Sequence, residues 1–122
     1  MPGFIGDQYE IILGGGSKAT DLVKRIGKPF KEVYDLALRG EDPSSAVMIG
    51  DALETDVTGG NAIGCYTLWV INDGIHSPDV SEKSDYKCGV EEALNDFNVK
   101  KRKVQAESTV VSPNLVIPHF RW

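Results

Sequence analysis

The sequence is short of cysteine, histidine, positive charge and long apolar runs, and each shortage removes a class of protein. Its two cysteines, Cys65 and Cys88, are too few for a disulfide framework and lack metal-ligand spacing, so they read as reduced, packed thiols in a reducing, cytoplasmic setting. The two histidines, His76 and His119, stand far apart without acids at triad-like positions, and their expected roles are surface or structural ones. No stretch approaches the roughly 18 to 20 apolar residues of a membrane span, and the opening residues lack the basic and apolar regions of a signal peptide. Lys and Arg number 13 against 18 Asp and Glu, a net charge of −5. A field of that sign repels phosphate backbones and anionic lipid, so neither nucleic acid nor a membrane surface is an expected partner. The one basic run, Lys100-Lys101-Arg102-Lys103, reads as the solvated end of a polar helix.

What is present suits a folded chain. At 122 residues, with 41% apolar and 25% charged side chains, residues 1–122 have the size of one domain or part of one, and a globular composition. Ile5, Tyr9, Ile12 and Leu13 recur at helical spacing ahead of Gly14-Gly15-Gly16, which predicts an amphipathic helix and then a loop through Thr20. Leu22 to Ile26 predicts a short strand ended by Gly27. Phe30, Val33, Tyr34, Ala37 and Leu38 predict a helix with Pro29 in its first turn. The continuous apolar run Ala46-Val47-Met48-Ile49 predicts a parallel strand covered on both faces. Thr55 or Asp56 is placed to cap a short helix closing at Gly64, Tyr66 to Ile71 has the β-branched and aromatic content of a strand, Val90 to Phe97 reads as a helix and Leu115 to Ile117 as a last strand. Helix alternating with strand is the rhythm of an α/β layer with parallel strands, whose sites lie at the strands' carboxyl ends.

One such end is chemically dense. Gly50-Asp51-Ala52-Leu53-Glu54-Thr55-Asp56 brings three acids into six positions directly after the apolar strand. Carboxylates there satisfy a helix N-terminus, and a hard cation such as Mg²⁺ also takes one or two carboxylates completed by water and phosphate oxygens. Lys28, fixed between Gly27 and Pro29, offers an ammonium to a phosphoryl group or to a carboxylate.

Gly27-Lys28-Pro29, a helix, the apolar strand and Gly50-Asp51-Ala52-Leu53-Glu54-Thr55-Asp56-Val57 together form a more specific pattern than either part. It resembles the haloacid dehalogenase superfamily, in its class IIA phosphatase-like branch, where a lysine in a G-K-P context and G-D-x-x-x-T-D are the third and fourth signatures. The likeness runs through Gly59-Gly60-Asn61-Ala62-Ile63-Gly64 to Asp73-Gly74-Ile75-His76, and more weakly into Leu115-Val116-Ile117-Pro118. It implies a Rossmann-like, three-layer α/β/α core with mostly parallel strands, hydrolysing phosphate monoesters of small molecules through an aspartyl-phosphate with Mg²⁺. By position Lys28 is then the catalytic, phosphate-binding lysine, Asp51 a Mg²⁺ ligand, and Asp56 a supporting acid for the loop and the metal's waters.

The family's opening D-x-D, source of its nucleophile, has no counterpart: no aspartate is followed by another two positions on. The Ser/Thr second signature is also missing, and Gly14-Gly15-Gly16-Ser17-Lys18 is not a phosphate loop, since Lys18 follows a serine. The expectation is a C-terminal portion of such a phosphatase, without cap domain or nucleophile strand, inactive alone and completed only by an N-terminal half carrying D-x-D in trans, with a homo-oligomer as the other expected assembly. The apolar strand would then lack a neighbour on one side, leaving an unpaired edge and uncovered side chains. The alternative is a non-catalytic phosphate- or metal-binding or interaction module. A phosphoacceptor receiver domain fits less well, because its lysine follows its acids, whereas Lys28 precedes Asp51.

Overall fold

The computed structural model describes residues 2–14, 22–81, 85–104 and 109–121. Helix α1 spans Pro2–Ile12 and α2 spans Lys31–Leu38, and a 3₁₀ turn over Pro43–Ser45 leads into strand β1, Val47–Gly50. A wide, π-type turn over Leu53–Val57 runs directly into α3, Thr58–Ile63, which closes at Gly64. Then follow β2 (Tyr66–Val70), α4 (Ser77–Ser81), α5 (Tyr86–Val104) and β3 (Leu115–Ile117). No described helix is long and apolar enough to cross a membrane.

The three strands form one parallel sheet in the order β1-β2-β3, with Val47 opposite Tyr66 and Trp69 opposite Val116. Two successive crossovers of the same hand, stepping in the same direction, must lie on the same face of a sheet. That face carries Trp69, with Ile71 and Val116 beside it, and it packs on Leu53 and Val57 of the turn, Val80 of α4, and Val90, Ala93, Leu94 and Phe97 of α5. Trp69, Leu53 and Ile71 are fully buried. Buried aromatic and aliphatic side chains of this kind each stabilise by about 1.5–3 kcal/mol, and this cluster is what holds the turn at 53–57 against the sheet.

The opposite face is open along β1 and the start of β2, although Val70 at the carboxyl end of β2 is buried. Side chains alternate across a strand, so Val47, Ile49, Tyr66 and Leu115 share that face, and they are 42–58% exposed. The described residues thus hold the parallel sheet and one helical layer of an α/β arrangement. The expectation that residues 46–49 are covered on both faces is corrected: both crossovers lie on the other side, and β1 is an edge strand. The unpaired edge and the uncovered side chains expected from the missing neighbour are what the described residues show.

Three local expectations also need correction. Residues 23–26 form no strand. They have no neighbouring strand to complete their hydrogen bonds, and Arg25 instead ties the segment to α1 through Asp7 and Glu10, at 2.6 and 3.1 Å. Pro29 lies ahead of the N-cap Phe30, not in the first turn of α2, and follows a cis peptide bond in the turn closed by the Phe30 N–H on the Gly27 carbonyl. Neither Thr55 nor Asp56 caps a helix, because the turn starts at Leu53 with Ala52 in the capping position. The loop expected at 14–20 lies, apart from Gly14, outside the described residues, as does Trp122.

Candidate active site

The carboxyl end of β1 is organised around Asp56. Its side chain is 3% exposed, and Oδ1 accepts the Lys28 ammonium at 2.5 Å. Oδ2 accepts the backbone N–H groups of Asp51 and Ala52, both at 3.1 Å. A carboxylate inside a turn, reaching back to its first two amides, does the work of an N-cap from the far end: it satisfies donors that the turn leaves unpaired. The Lys28 side chain remains 47% exposed, so part of its ammonium is still available to a ligand. The wall behind this group is Tyr34 of α2, buried, whose hydroxyl donates to the Thr55 carbonyl at 3.1 Å. Burial raises the Tyr34 phenol above its ordinary pKa, and the nearby Asp56 charge adds to the rise.

Asp51 is held separately. Its Oδ2 accepts the Ile75 N–H at 3.1 Å, and its carbonyl accepts the Trp69 indole N–H at 3.0 Å. Among the described residues nothing donates to Oδ1, and the residue is only part-buried. Lys28, Asp56 and Asp51 are therefore brought to one loop, with Asp56 as the bridge, while the Asp51 carboxylate itself turns toward the 73–76 segment.

The donor chemistry decides how a divalent cation fits. Mg²⁺ binds through one or two carboxylates and keeps several waters. Asp51 offers one uncommitted oxygen at the rim; both oxygens of Asp56 are engaged, which suits it to supporting the loop. No group of three His, Cys, Asp or Glu side chains among the described residues converges on one point. The chain thus fits Mg²⁺ as the supplier of one carboxylate ligand.

The second constellation was not foreseen. His76, with its side chain 12% exposed, stands edge-on to Trp69 at a centroid distance of 5.6 Å. Its Nε2 lies 3.2 Å from Glu54 Oε2 and its Nδ1 lies 3.1 Å from Asp79 Oδ2. The reading that no acids flank the histidines is corrected: Glu54 arrives through the turn, and only Asp79, three positions on, was visible as a helical neighbour. A cavity of about 240 Å³ opens beside this group, lined also by Glu92, Asp96, Phe97 and Lys100 of α5. Cys65 is buried and unbridged, as expected, whereas the expectation of a packed thiol is corrected for Cys88, which is unbridged but exposed on α5.

His119 meets Asp73, which ends the β2 loop, at 3.0 Å. The His119 hydrogen bond holds the Asp73 carboxyl below the usual carboxylate range. A depressed carboxylate contributes stability that is present above its unfolded pKa and lost as pH falls through the folded value. His119→Ala is therefore expected to move the Asp73 titration up toward an ordinary aspartate, read by NMR of its carboxyl carbon; an unmoved titration would deny the contact its effect.

These features sit inside a recognisable whole. The sequence profile of the HAD-hydrolase-like family matches residues 25–99, which takes in Lys28, the turn after β1, and His76. The chain belongs to the HAD-hydrolase-like family. No curated protein and no solved structure matches it. As a HAD-hydrolase-like chain it shows the parallel α/β core that the resemblance implied, with the lysine and the G-D-x-x-x-T-D turn joined in space as well as in pattern.

Proposed function

We propose that this chain supplies the charge-neutralising, cation-holding side of a phosphoryl-transfer pocket in a Mg²⁺-dependent phosphatase acting on phosphorylated small molecules. The observation that carries the reading is the Asp56 carboxylate, which joins the Lys28 ammonium to the amides of the Asp51 turn. Developing charge on phosphoryl oxygens is the main problem in this chemistry, and an oriented lysine is a standard solution. Lys28 would contact a phosphoryl oxygen with the protons that Asp56 leaves free. Asp51 would hold the cation through Oδ1, and Asp56 would keep both groups in register. Mg²⁺ when bound would supply further neutralisation of the phosphate oxygens.

The nucleophile is the missing member, since no D-x-D occurs in the sequence. In this reading the aspartyl-phosphate forms on a D-x-D-bearing segment supplied in trans by another chain, which packs along the open edge and face of β1 where Val47 and Ile49 are exposed. The lack of D-x-D also favours a second reading, a module that binds phosphate or metal without turnover.

Hydrolysis of an aryl phosphate with Mg²⁺ separates these. The expected result is no turnover by the 122-residue chain, turnover on adding a D-x-D-bearing segment from a relative, and its loss in Asp51→Asn. Turnover by the chain alone, abolished in Asp51→Asn, would overturn the incompleteness. Phosphate binding that never becomes turnover would favour the binding module.

A further inference from the structure

The imidazole of His76 stands between two groups that need opposite protonation states of the same nitrogen. Leu53 is fully buried, and it opens the 53–57 turn, whose N-cap Ala52 offers no side-chain acceptor. Its N–H points at His76 Nε2, 3.4 Å away. A buried amide needs an acceptor, and Nε2 accepts only when unprotonated; the neutral ring then carries its proton on Nδ1, where Asp79 Oδ2 receives it at 3.1 Å. Glu54 Oε2, however, lies 3.2 Å from that same Nε2. With a lone pair on Nε2, the contact with the Glu54 carboxylate is acceptor against acceptor. With a proton on Nε2, it becomes a charge-assisted hydrogen bond, and the Leu53 amide loses its partner.

We propose that His76 is a proton-operated positioning residue, whose Nε2 switches between capping the Leu53 amide when neutral and pairing with Glu54 when protonated, and so sets the seat of the Asp51 turn. The route to Asp51 is short. The N–H of Ile75, the residue before His76, holds Asp51 Oδ2, and the Trp69 ring against which His76 stands holds the Asp51 carbonyl. The charged groups facing the ring are Glu54 from the turn, Asp79 from α4, and Glu92, Asp96 and Lys100 from α5, which line the adjoining cavity. This inference goes beyond the phosphatase reading and does not depend on it.

The test uses the whole 122-residue chain without metal or phosphate, so its failure is distinct from failure of the proposed function. Nitrogen-15 spectra are recorded between pH 5.5 and 8. The Leu53 amide and the Trp69 indole N–H, separated from Trp122 by Trp122→Phe, are expected to shift together along one titration curve, and the neutral His76 ring is expected to carry its proton on Nδ1. In His76→Gln, where a neutral amide carbonyl can take the Leu53 N–H, both shifts are expected to vanish. Glu54→Gln, at an exposed position that does not threaten folding, is expected to shrink both shifts, because the protonated ring loses the carboxylate that draws Nε2 away from the Leu53 amide. The proposal is overturned by a Leu53 amide that holds its position in the native chain, by shifts that persist in His76→Gln, by a neutral ring protonated on Nε2, or by shifts that Glu54→Gln leaves at full size.

Discussion

Gly59→Ala is expected to be among the most damaging single-methyl changes in this chain. A Cβ at position 59 would sit 1.9 Å from the Tyr34 hydroxyl and 2.5 Å from its Cζ, distances that no pair of non-bonded heavy atoms tolerates. Tyr34 cannot simply swing aside, because it is buried and its hydroxyl is held on the Thr55 carbonyl. Overpacking a close-packed interior usually costs about 1–3 kcal/mol, and a methyl aimed at a rigid ring belongs at the upper end or above it. For a domain of this size, ~3 kcal/mol corresponds to a fall in Tm of roughly 10 °C or more. Denaturation in urea or by heat measures it directly. Tyr34→Ala in the same chain removes the obstacle, so the double variant should lose clearly less than the two single losses added; strict additivity would show that helix and ring are not in contact. The effect reaches the site as well, because Thr55 is the neighbour of Asp56.

That sensitivity lies in a pair of positions whose partnership no local pattern announces, and the same division runs through the molecule. Readable from the sequence were features with a short-range cause: the β-branched, aromatic run that becomes β2, the Leu115–Ile117 strand, the glycine stop at Gly64, and the G-D-x-x-x-T-D turn at the end of an apolar strand. Lys28 and Asp56 could be paired in advance only through the family pattern, because 28 positions separate them. Leu22 to Ile26 has strand composition, yet a strand requires a neighbour, and composition says nothing about whether one exists. The open face of β1 was misjudged for the same reason: a run of four apolar residues reports a preference for burial, not what arrives to cover it. His76 was undervalued because two of its partners, Glu54 and the Leu53 amide, reach it only after the turn folds over Trp69.

Asp56→Ala is expected to cost about 2–3 kcal/mol, less than the ~3–5 kcal/mol typical of breaking a fully buried ion pair, because the freed Lys28 is half-exposed and water can reclaim it. The remaining loss falls on the Asp51 and Ala52 amides, which give up a charged acceptor and face only partial hydration. Asp56→Asn keeps the shape and a carbonyl for those amides while removing the charge that steadies Lys28, so it should cost roughly half as much in stability. Gly50 supplies the check that the carboxylate is seated as described. A Cβ at position 50 would lie 2.2 Å from both Cγ and Oδ2 of Asp56. Gly50→Ala must therefore evict the carboxylate, and alone it should destabilise about as much as deleting that carboxylate. Asp56→Ala would leave its own Cβ 2.5 Å from the new methyl, so the change that lifts the conflict is Asp56→Gly, and the Gly50→Ala/Asp56→Gly double variant is expected to fall short of the summed losses by at least ~1 kcal/mol, the coupling that residues in direct contact show. Chemical denaturation of the four chains closes this cycle. A coupling near zero would mean that Gly50 and Asp56 do not meet, and with it would go the structural basis for holding Lys28 beside the Asp51 turn.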